Sequence, residues 1–461
     1  MSAAVFVHNL GCRANQSDGA AIEQELARCG MPRAASWQDA GVLVLNTCTV
    51  TAEADAEAQR LIRRWHRERP ASRILVTGCY AQRAPKEIAA LPGVGWVVGN
   101  GRKAEIAALL SQGREHPTRE RRPDFLPLAS LLPQRAPEPP QVITGEIGAD
   151  TPIFTTPIPT GADRTRPVVK VQDGCNNRCS FCVIPRVRGV SRSLPLGTVL
   201  GEIRALCAQG IHEVVLSGIN LGTWGRDLDT RLRLPDLLRA ILEQTDLRRL
   251  RLSSVEPMDW TPALIALLGE PRLARHAHLP LQSGSDAVLR RMHRRYRPWH
   301  YAEVVQRLRA ASPDAALGAD VMVGFPGETE AEFAASHDFI AGLPLTYLHV
   351  FTYSPRPGTR SAQKTADGAW SEVPAGATRA RHRALAALSR AKHQAFARSQ
   401  LGRRLEVLTL QGADADATPA LSDNYLRVQI AGAWPPNRLL QVEARSEREG
   451  VLQGTVVKAG C

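Results

Sequence analysis

Between Val168 and Tyr353 the chain repeats one pattern six times: a short apolar, β-branched run followed by a helix-patterned segment. The runs are VVKVQ (168–172), EVVLSG (213–218), LRRLRLSS (247–254), HAHLPLQ (276–282), GADVMVGF (318–325) and TYLHVFTY (346–353). Six βα units predict a parallel barrel, or an open part of one, with its chemistry at the carboxyl ends of the strands. The loop after the first run reads GCNNRCSFC, and so places Cys175, Cys179 and Cys182 at such an end in a C-x3-C-x2-C spacing.

Three cysteines on one polar loop limit the possible ligand. A structural zinc ion takes four protein ligands, usually as two separated pairs, which this loop does not supply. A chance trio of buried cysteines leaves the glycine-led, asparagine-rich loop unexplained. A cubane iron–sulfur cluster has four irons, so three thiolates would leave one iron open to a substrate or cofactor. The compartment agrees. No run nears the eighteen apolar residues of a membrane span, and the start MSAAVFVHNLGC lacks a signal-peptide pattern. The cytoplasm is therefore expected, where cysteines stay reduced and serve as ligands or catalysts.

Residues 1–112 also alternate strands and helices: AVFVHNLGC, GVLVLNTC, RILVTGC and GWVVGN are apolar runs separated by helical patterns. A small doubly wound parallel sheet is expected. Cys12, Cys48 and Cys79 each follow one of these runs, so a parallel sheet would bring their thiols to one edge. Burial as small apolar groups is cysteine's ordinary role, but each sits beside Gly11, Thr47 or Gly78, where burial should be ending. A second three-cysteine cluster is the preferred reading. Cys29 and Cys207 share helical faces with leucine and isoleucine and read as core, while Cys461 ends the chain.

Residues 113–165, rich in proline and arginine without periodicity, read as a linker. The central barrel is expected over 166–398, with a basic helix from Glu372 to Arg404. Short alternating strands over 399–461 predict a small all-β barrel. The fold class is thus α/β: a doubly wound parallel sheet, a partial (β/α)6 barrel, and a small β-barrel.

The cysteine loop at the head of a βα barrel resembles the radical S-adenosylmethionine (SAM) superfamily. That resemblance implies a [4Fe-4S] cluster on Cys175, Cys179 and Cys182 whose open iron chelates SAM, and reductive cleavage of SAM to a 5′-deoxyadenosyl radical. It also implies cofactor contacts at Phe181, Gly218, Glu256, Val323 and Gly324. GCRANQSD, NTCTVTAEAD and GCYAQR in front, with DGCNNRCSFCVIPRVRG, HLPLQSGSDAVLRRM and FTYSPRPGT behind, extend the likeness to the methylthiotransferases. In that family the front cysteines hold an auxiliary [4Fe-4S] cluster that handles sulfur, and the terminal barrel is a TRAM domain, an RNA-binding module. A reductant protein such as flavodoxin or ferredoxin would supply electrons.

Within the family, GCRANQ with NTCTVTAEAD most resembles the branch that modifies N6-threonylcarbamoyladenosine at position 37 of tRNA. The branches acting on isopentenyladenosine and on a ribosomal-protein aspartate are the alternatives, and a non-catalytic iron–sulfur RNA-binding protein is the rival outside enzymes. The formal charge of +13 suits a polyanion such as the tRNA anticodon arm, although a basic enzyme with arginine-rich helices would show it too. Arg186, Arg188 and Arg192 follow the cluster loop. RRMHRRYRPWHY interleaves Arg294 and Arg295 with Tyr296, Trp299 and Tyr301, as either phosphate and stacking contacts or a solvated helix end.

Overall fold

The computed structural model describes residues 4–112, 139–155, 165–414 and 416–459. The chain divides into two compact units, Met1–Phe154 and Thr155–Cys461.

In the first unit, β1 (Val5–Asn9), β2 (Val42–Thr47), β3 (Arg73–Gly78), β4 (Val94–Val98) and β5 (Gln141–Ile143) form one parallel sheet in that order. Alternation along the strands sorts the apolar side chains to two faces. Leu43, Leu45, Ile74 and Val76 pack against Ile62 and Trp65 of helix 52–68. Val44 and Leu75 face the other way, onto Ile22 and Leu26 of helix 13–28. Helices on both faces make the sheet doubly wound, as expected.

β5 falls in the stretch read as linker. Three residues, exposed or half-buried at the sheet edge, carry too little apolar pattern to be read as a strand. The proline- and arginine-rich stretch at 113–138 lies outside the described residues, as do 156–164 and Cys461. Cys29 caps the end of helix 13–28 and is exposed rather than core, because burial along that helix ends at Leu26.

In the second unit, β6 (Val168–Asp173), β7 (Arg192–Ser193), β8 (Glu213–Gly218) and β9 (Arg249–Leu252) form a sheet ordered β7-β6-β8-β9, in which β7 alone is antiparallel. β10 (His276–His278), β11 (Ala316–Val323) and β12 (Tyr347–Thr352) form a parallel sheet. Backbone hydrogen bonds Leu250 N–Arg272 O and Ala274 N–Leu250 O, both 2.8 Å, and Val255 N–His278 O, 3.0 Å, carry one sheet into the other. The six predicted runs are therefore six parallel strands of an open barrel.

The basic helix spans Ala375–Arg398, shorter than the expected 372–404: Pro374 stands at its start, and Arg404 already opens a strand. β13 (Arg404–Thr409), β14 (Ala417–Ser422), β15 (Arg427–Ala431), β16 (Leu439–Arg448) and β17 (Val451–Ala459) close a barrel ordered β13-β14-β15-β17-β16. Its interior holds Leu405, Val407, Val428, Ile430, Val442 and Leu452. An ionic network joins it to the open barrel. Glu213 on β8, fully buried, binds Arg249 (3.1 Å) and Arg251 (2.7 Å) on β9, and those arginines also reach Glu406 Oε1 (2.6 Å) and Ser422 O (3.0 Å).

Candidate functional site

The cysteine loop starts where β6 ends, and its backbone dictates a glycine. Gly174 has φ +74°, and a Cβ there would meet Val190 O at 1.9 Å. Asp173, before it, accepts from Gly174 N (2.8 Å) and is gripped by Arg188 Nη1 at 3.0 Å to each oxygen and by Lys170 Nζ at 2.9 Å. Gln172 donates to Gly174 O (2.8 Å) and accepts from Asn220 N (2.7 Å), tying the loop to the turn after β8. On the far side Ser180 N donates to Met292 O at 3.0 Å.

The thiols lie within electrostatic reach of one another. Burial, then the neighbouring Cys179, pushes the Cys182 thiol up to about 12, and burial raises Cys175 as well. Three thiolates in this setting need a cation among them, and a multi-iron cluster supplies one. Existing donors already aim at the sulfurs: Asn177 N to Cys175 Sγ (3.4 Å), Asn220 Nδ2 to Cys175 Sγ (3.8 Å), and Arg294 Nη1 to Cys179 Sγ (3.3 Å).

A cavity of about 280 Å³ opens beside Cys179, lined among others by Asn220, Asp259, Glu256, Arg294 and Arg295. Arg294 binds Glu256 and Tyr296 Oη, and Tyr296 Oη in turn meets Pro280 O at 2.6 Å. Burial raises the Glu256 carboxyl, and Arg294 opposes that shift. Asn220 Oδ1 is buried without a hydrogen-bond partner. An acceptor left so in a cavity wall fits a bound molecule that brings an N–H or O–H. Trio, open cavity and orphaned acceptor together match SAM on a cluster.

Of the other expected cofactor contacts, Glu256 lines the cavity, while Phe181, Gly218, Val323 and Gly324 are not among its lining residues. Phe181 packs edge-on to Phe325, and Gly218 lies against Gln172. Val323 is buried in β11, and Gly324 N donates to Glu328 Oε2 at 2.8 Å. Asn220 was missed, although LSGINLG contains it; its signal is an amide two residues past a strand end.

Three of the arginines expected to meet RNA are interior. Arg188 is held by Asp173, Arg192 donates to Arg188 O (2.9 Å), and Arg294 is spent on Glu256 and Cys179. Tyr296 and Tyr301 are buried, so they offer no stacking face. Arg186, Arg295 and Trp299 remain exposed.

The front cysteines follow three adjacent parallel strands. Asn9 pairs with Asn46 and Thr47 with Gly78, so Cys12, Cys48 and Cys79 leave the sheet at one edge within about a residue of the same level. Gly11 (φ +88°) lies so close to Cys48 that a Cβ would meet its Sγ at 2.8 Å, and Gly78 (φ +97°) lies against the Thr47 backbone. Asn15 Nδ2 bridges Leu10 O (2.9 Å) and Thr47 O (2.8 Å), binding the loops of Cys12 and Cys48. Thr49, Asp55 and Arg83 tie the Cys48 loop to the Cys79 helix through contacts of 2.6 to 3.0 Å. Cys48 and Cys79 are buried and Cys12 exposed, with Val50 N (3.5 Å) and Asn100 Nδ2 (3.6 Å) donating to the first two sulfurs. Three soft donors at one sheet edge fit a second iron–sulfur cluster.

Residues 169–340 match the radical SAM superfamily, and residues 4–99 match an uncharacterised protein family, UPF0004. The chain is 35% identical to the threonylcarbamoyladenosine tRNA methylthiotransferase MtaB of Bacillus subtilis, over 93% of this chain and 91% of that one. Identity to the protein of the same name from Aquifex aeolicus is 32%, over 95% and 99%. A tRNA-2-methylthio-N(6)-dimethylallyladenosine synthase from Acidothermus cellulolyticus is 34% identical over 96% and 83%. Among solved structures, the radical SAM methyltransferase TsrM of Kitasatospora setae shares the fold, with a TM-score of 0.54 at 18% identity over 80% of this chain and 78% of that one.

Proposed function

We propose, for a chain that belongs to the radical SAM methylthiotransferase family, that it replaces the C2 hydrogen of N6-threonylcarbamoyladenosine at position 37 of tRNA with a methylthio group. The observation that carries this reading is the pairing of a SAM-type cysteine loop and cavity with a second cysteine trio on one sheet edge. Relatives named for this reaction, similar over nearly their whole length, support the substrate.

Cys175, Cys179 and Cys182 would hold the [4Fe-4S] cluster that binds SAM, and Cys12, Cys48 and Cys79 an auxiliary one. Bound there, cluster and SAM supply one-electron chemistry able to remove an unactivated hydrogen, which no ordinary general base can do. The chain's own residues do the orienting. Arg294 balances charge at Cys179 and holds Glu256 at the cavity wall, where that carboxyl can meet hydroxyls. Asn220 offers its free Oδ1 to an N–H. The buried Asp173–Arg188 pair fixes the loop's entry, so the thiols do not drift when the cavity fills.

Residues 166–398 form the radical core in this reading, residues 1–112 with β5 the sulfur-handling domain, and 399–461 a TRAM-like RNA module. Arg186, Arg295 and Trp299 are the exposed groups suited to phosphate contact and base stacking near the target. The partners are the tRNA anticodon arm and a reductant protein such as flavodoxin or ferredoxin, in the cytoplasm. Among the described residues no helix is long and apolar enough to cross a membrane.

Nucleoside mass spectrometry of tRNA from cells with and without the gene tests the reading. Loss of the methylthio-threonylcarbamoyladenosine peak, restored by the wild-type chain but not by Cys12→Ala or Cys182→Ala, is expected. Loss of the methylthio-isopentenyladenosine peak instead would move the chain to the sister branch, and an unchanged profile would refute a tRNA substrate.

A further inference from the structure

The six cysteines leave another set of potential metal ligands unused. His278 on β10, Asp320 on β11 and His349 on β12 stand on neighbouring parallel strands; Asp320 is in register with His349, and His278 is in register with Gly318, two residues before Asp320. Period-two alternation puts all three side chains on one face. Their ligand atoms lie within 4.8 Å of one another. His278 Nε2 and His349 Nδ1 are each 3.3 Å from the same oxygen, Asp320 Oδ1.

These separations suit a shared ion. Ligand atoms about 2.1 Å from one metal lie roughly 3.0 Å apart at a right angle and ~3.4 Å apart at the tetrahedral angle. The hydrogen-bonding alternative serves His278 badly: its Nε2 is buried and makes no hydrogen bond, being out of line with Asp320 despite the distance. The ring is turned that way by Ser254, whose Oγ lies 2.7 Å from Nδ1, as the outer partner of a metal-bound imidazole does. The side chain of His278 is 6% exposed, so its free nitrogen points into the group rather than to bulk solvent. Asp320 brings the carboxylate, with Oδ1 facing both imidazoles.

We propose that His278, Asp320 and His349 bind a divalent first-row metal ion, zinc or ferrous iron, as a two-histidine, one-carboxylate site separate from the cysteine clusters. Two imidazoles and a carboxylate match those borderline ions and leave coordination positions open. His349, half exposed, also lines a cavity of about 750 Å³ with Arg166, Arg390 and Arg427 in its walls. The ion is thus reachable, and the surrounding cations favour an anionic oxygen ligand to complete it.

The test uses the full chain with its cysteine sites loaded with iron and sulfide, stripped of loose metal and titrated with zinc. One zinc per chain is expected beyond the iron, with zinc-edge X-ray absorption showing nitrogen and oxygen near 2.0–2.1 Å and no sulfur near 2.3 Å. Asp320→Asn and the half-exposed His349→Ala should abolish that uptake with iron content unchanged. Ser254→Ala should weaken it by roughly tenfold to a hundredfold. Sulfur around the zinc, or equal uptake by His349→Ala and wild type, overturns the site. So does no uptake by the iron-loaded wild type, which would leave the three residues as a hydrogen-bonded group.

Discussion

Glu213→Gln removes one charge from the interior of the second unit and almost no volume. Glu213 is fully buried on β8, and Arg249 and Arg251 surround it. Burial alone would raise its carboxyl, but Arg251 and then Arg249 overcome this and hold it at about 2, against an ordinary 4.5. At 1.36 kcal/mol per unit, that shift corresponds to about 3 kcal/mol in favour of the folded state. The same size is expected for stripping one partner from a buried ion pair. The variant strands two buried guanidinium groups whose other nitrogens anchor Glu406, Ser422 and Asp423 of the terminal barrel. The barrel should therefore loosen with the core.

The sign follows from linkage. A carboxyl depressed in the folded state stabilises fully above its unfolded value, and that gain is lost as pH falls toward 2. The gap between wild type and variant should be constant from pH 8 to 5 and close below. At roughly 2 °C per kcal/mol for a body of this size, melting of the second unit should drop by about 6 °C at pH 7. Calorimetry reads the shift, and amide exchange in β13 and β14 reads the loosening; strands of the first unit serve as the unaffected control. A loss under about 1 kcal/mol, or a gap that widens in acid, would refute the network as a requirement for docking.

Asn220→Ala should weaken SAM binding about tenfold, the worth of one buried hydrogen bond, with iron content unchanged; equilibrium binding to the iron-loaded protein checks it. Glu202 is buried, accepts from Thr155 Oγ1 at 2.6 Å, and is raised to about 7 by burial. A raised carboxyl costs stability as pH climbs from 4.5 to 7, so Glu202→Gln should stabilise by up to about 3 kcal/mol at pH 8 and by nothing at pH 4, read by denaturant unfolding. Gly78→Ala forces a Cβ to 2.4 Å from Thr47 O at φ +97°. It should destabilise the first unit by more than about 1 kcal/mol, with faster amide exchange around Cys79.

Most parallel strands were legible because a covered strand is a short run rich in apolar, β-branched residues bounded by turn signals. The trio at Cys175, Cys179 and Cys182 was legible from its spacing on one loop, and that at Cys12, Cys48 and Cys79 because parallel strands share a carboxyl edge, so position after a run already implies neighbours. What escaped depends on partners far along the chain. Asp173 lies 15 residues before Arg188, and Glu256 lies 38 before Arg294. An arginine destined for such a carboxylate looks the same in sequence as one facing RNA. β5 escaped because three residues at a sheet edge need no apolar alternation. Cys29 was misread because helical spacing continues through a cap, while burial stops before it.

Burying those arginines does not weaken the electrostatic case for RNA. Arg188 shares Asp173 with Lys170, Arg294 pairs with Glu256, and Arg192 donates to the Arg188 carbonyl. Burial changes where a charge sits and not its sign, so the formal excess of +13 over the whole chain stands whichever of these side chains reach the surface. The inference from net charge to a polyanionic partner therefore does not depend on Arg188, Arg192 and Arg294, the three of its five assigned arginines that are interior. Long-range attraction depends on the total charge outside, whereas contact depends on which side chains reach the surface. Sequence supplies the first directly, and only the fold, by showing which arginines have carboxylates waiting, supplies the second.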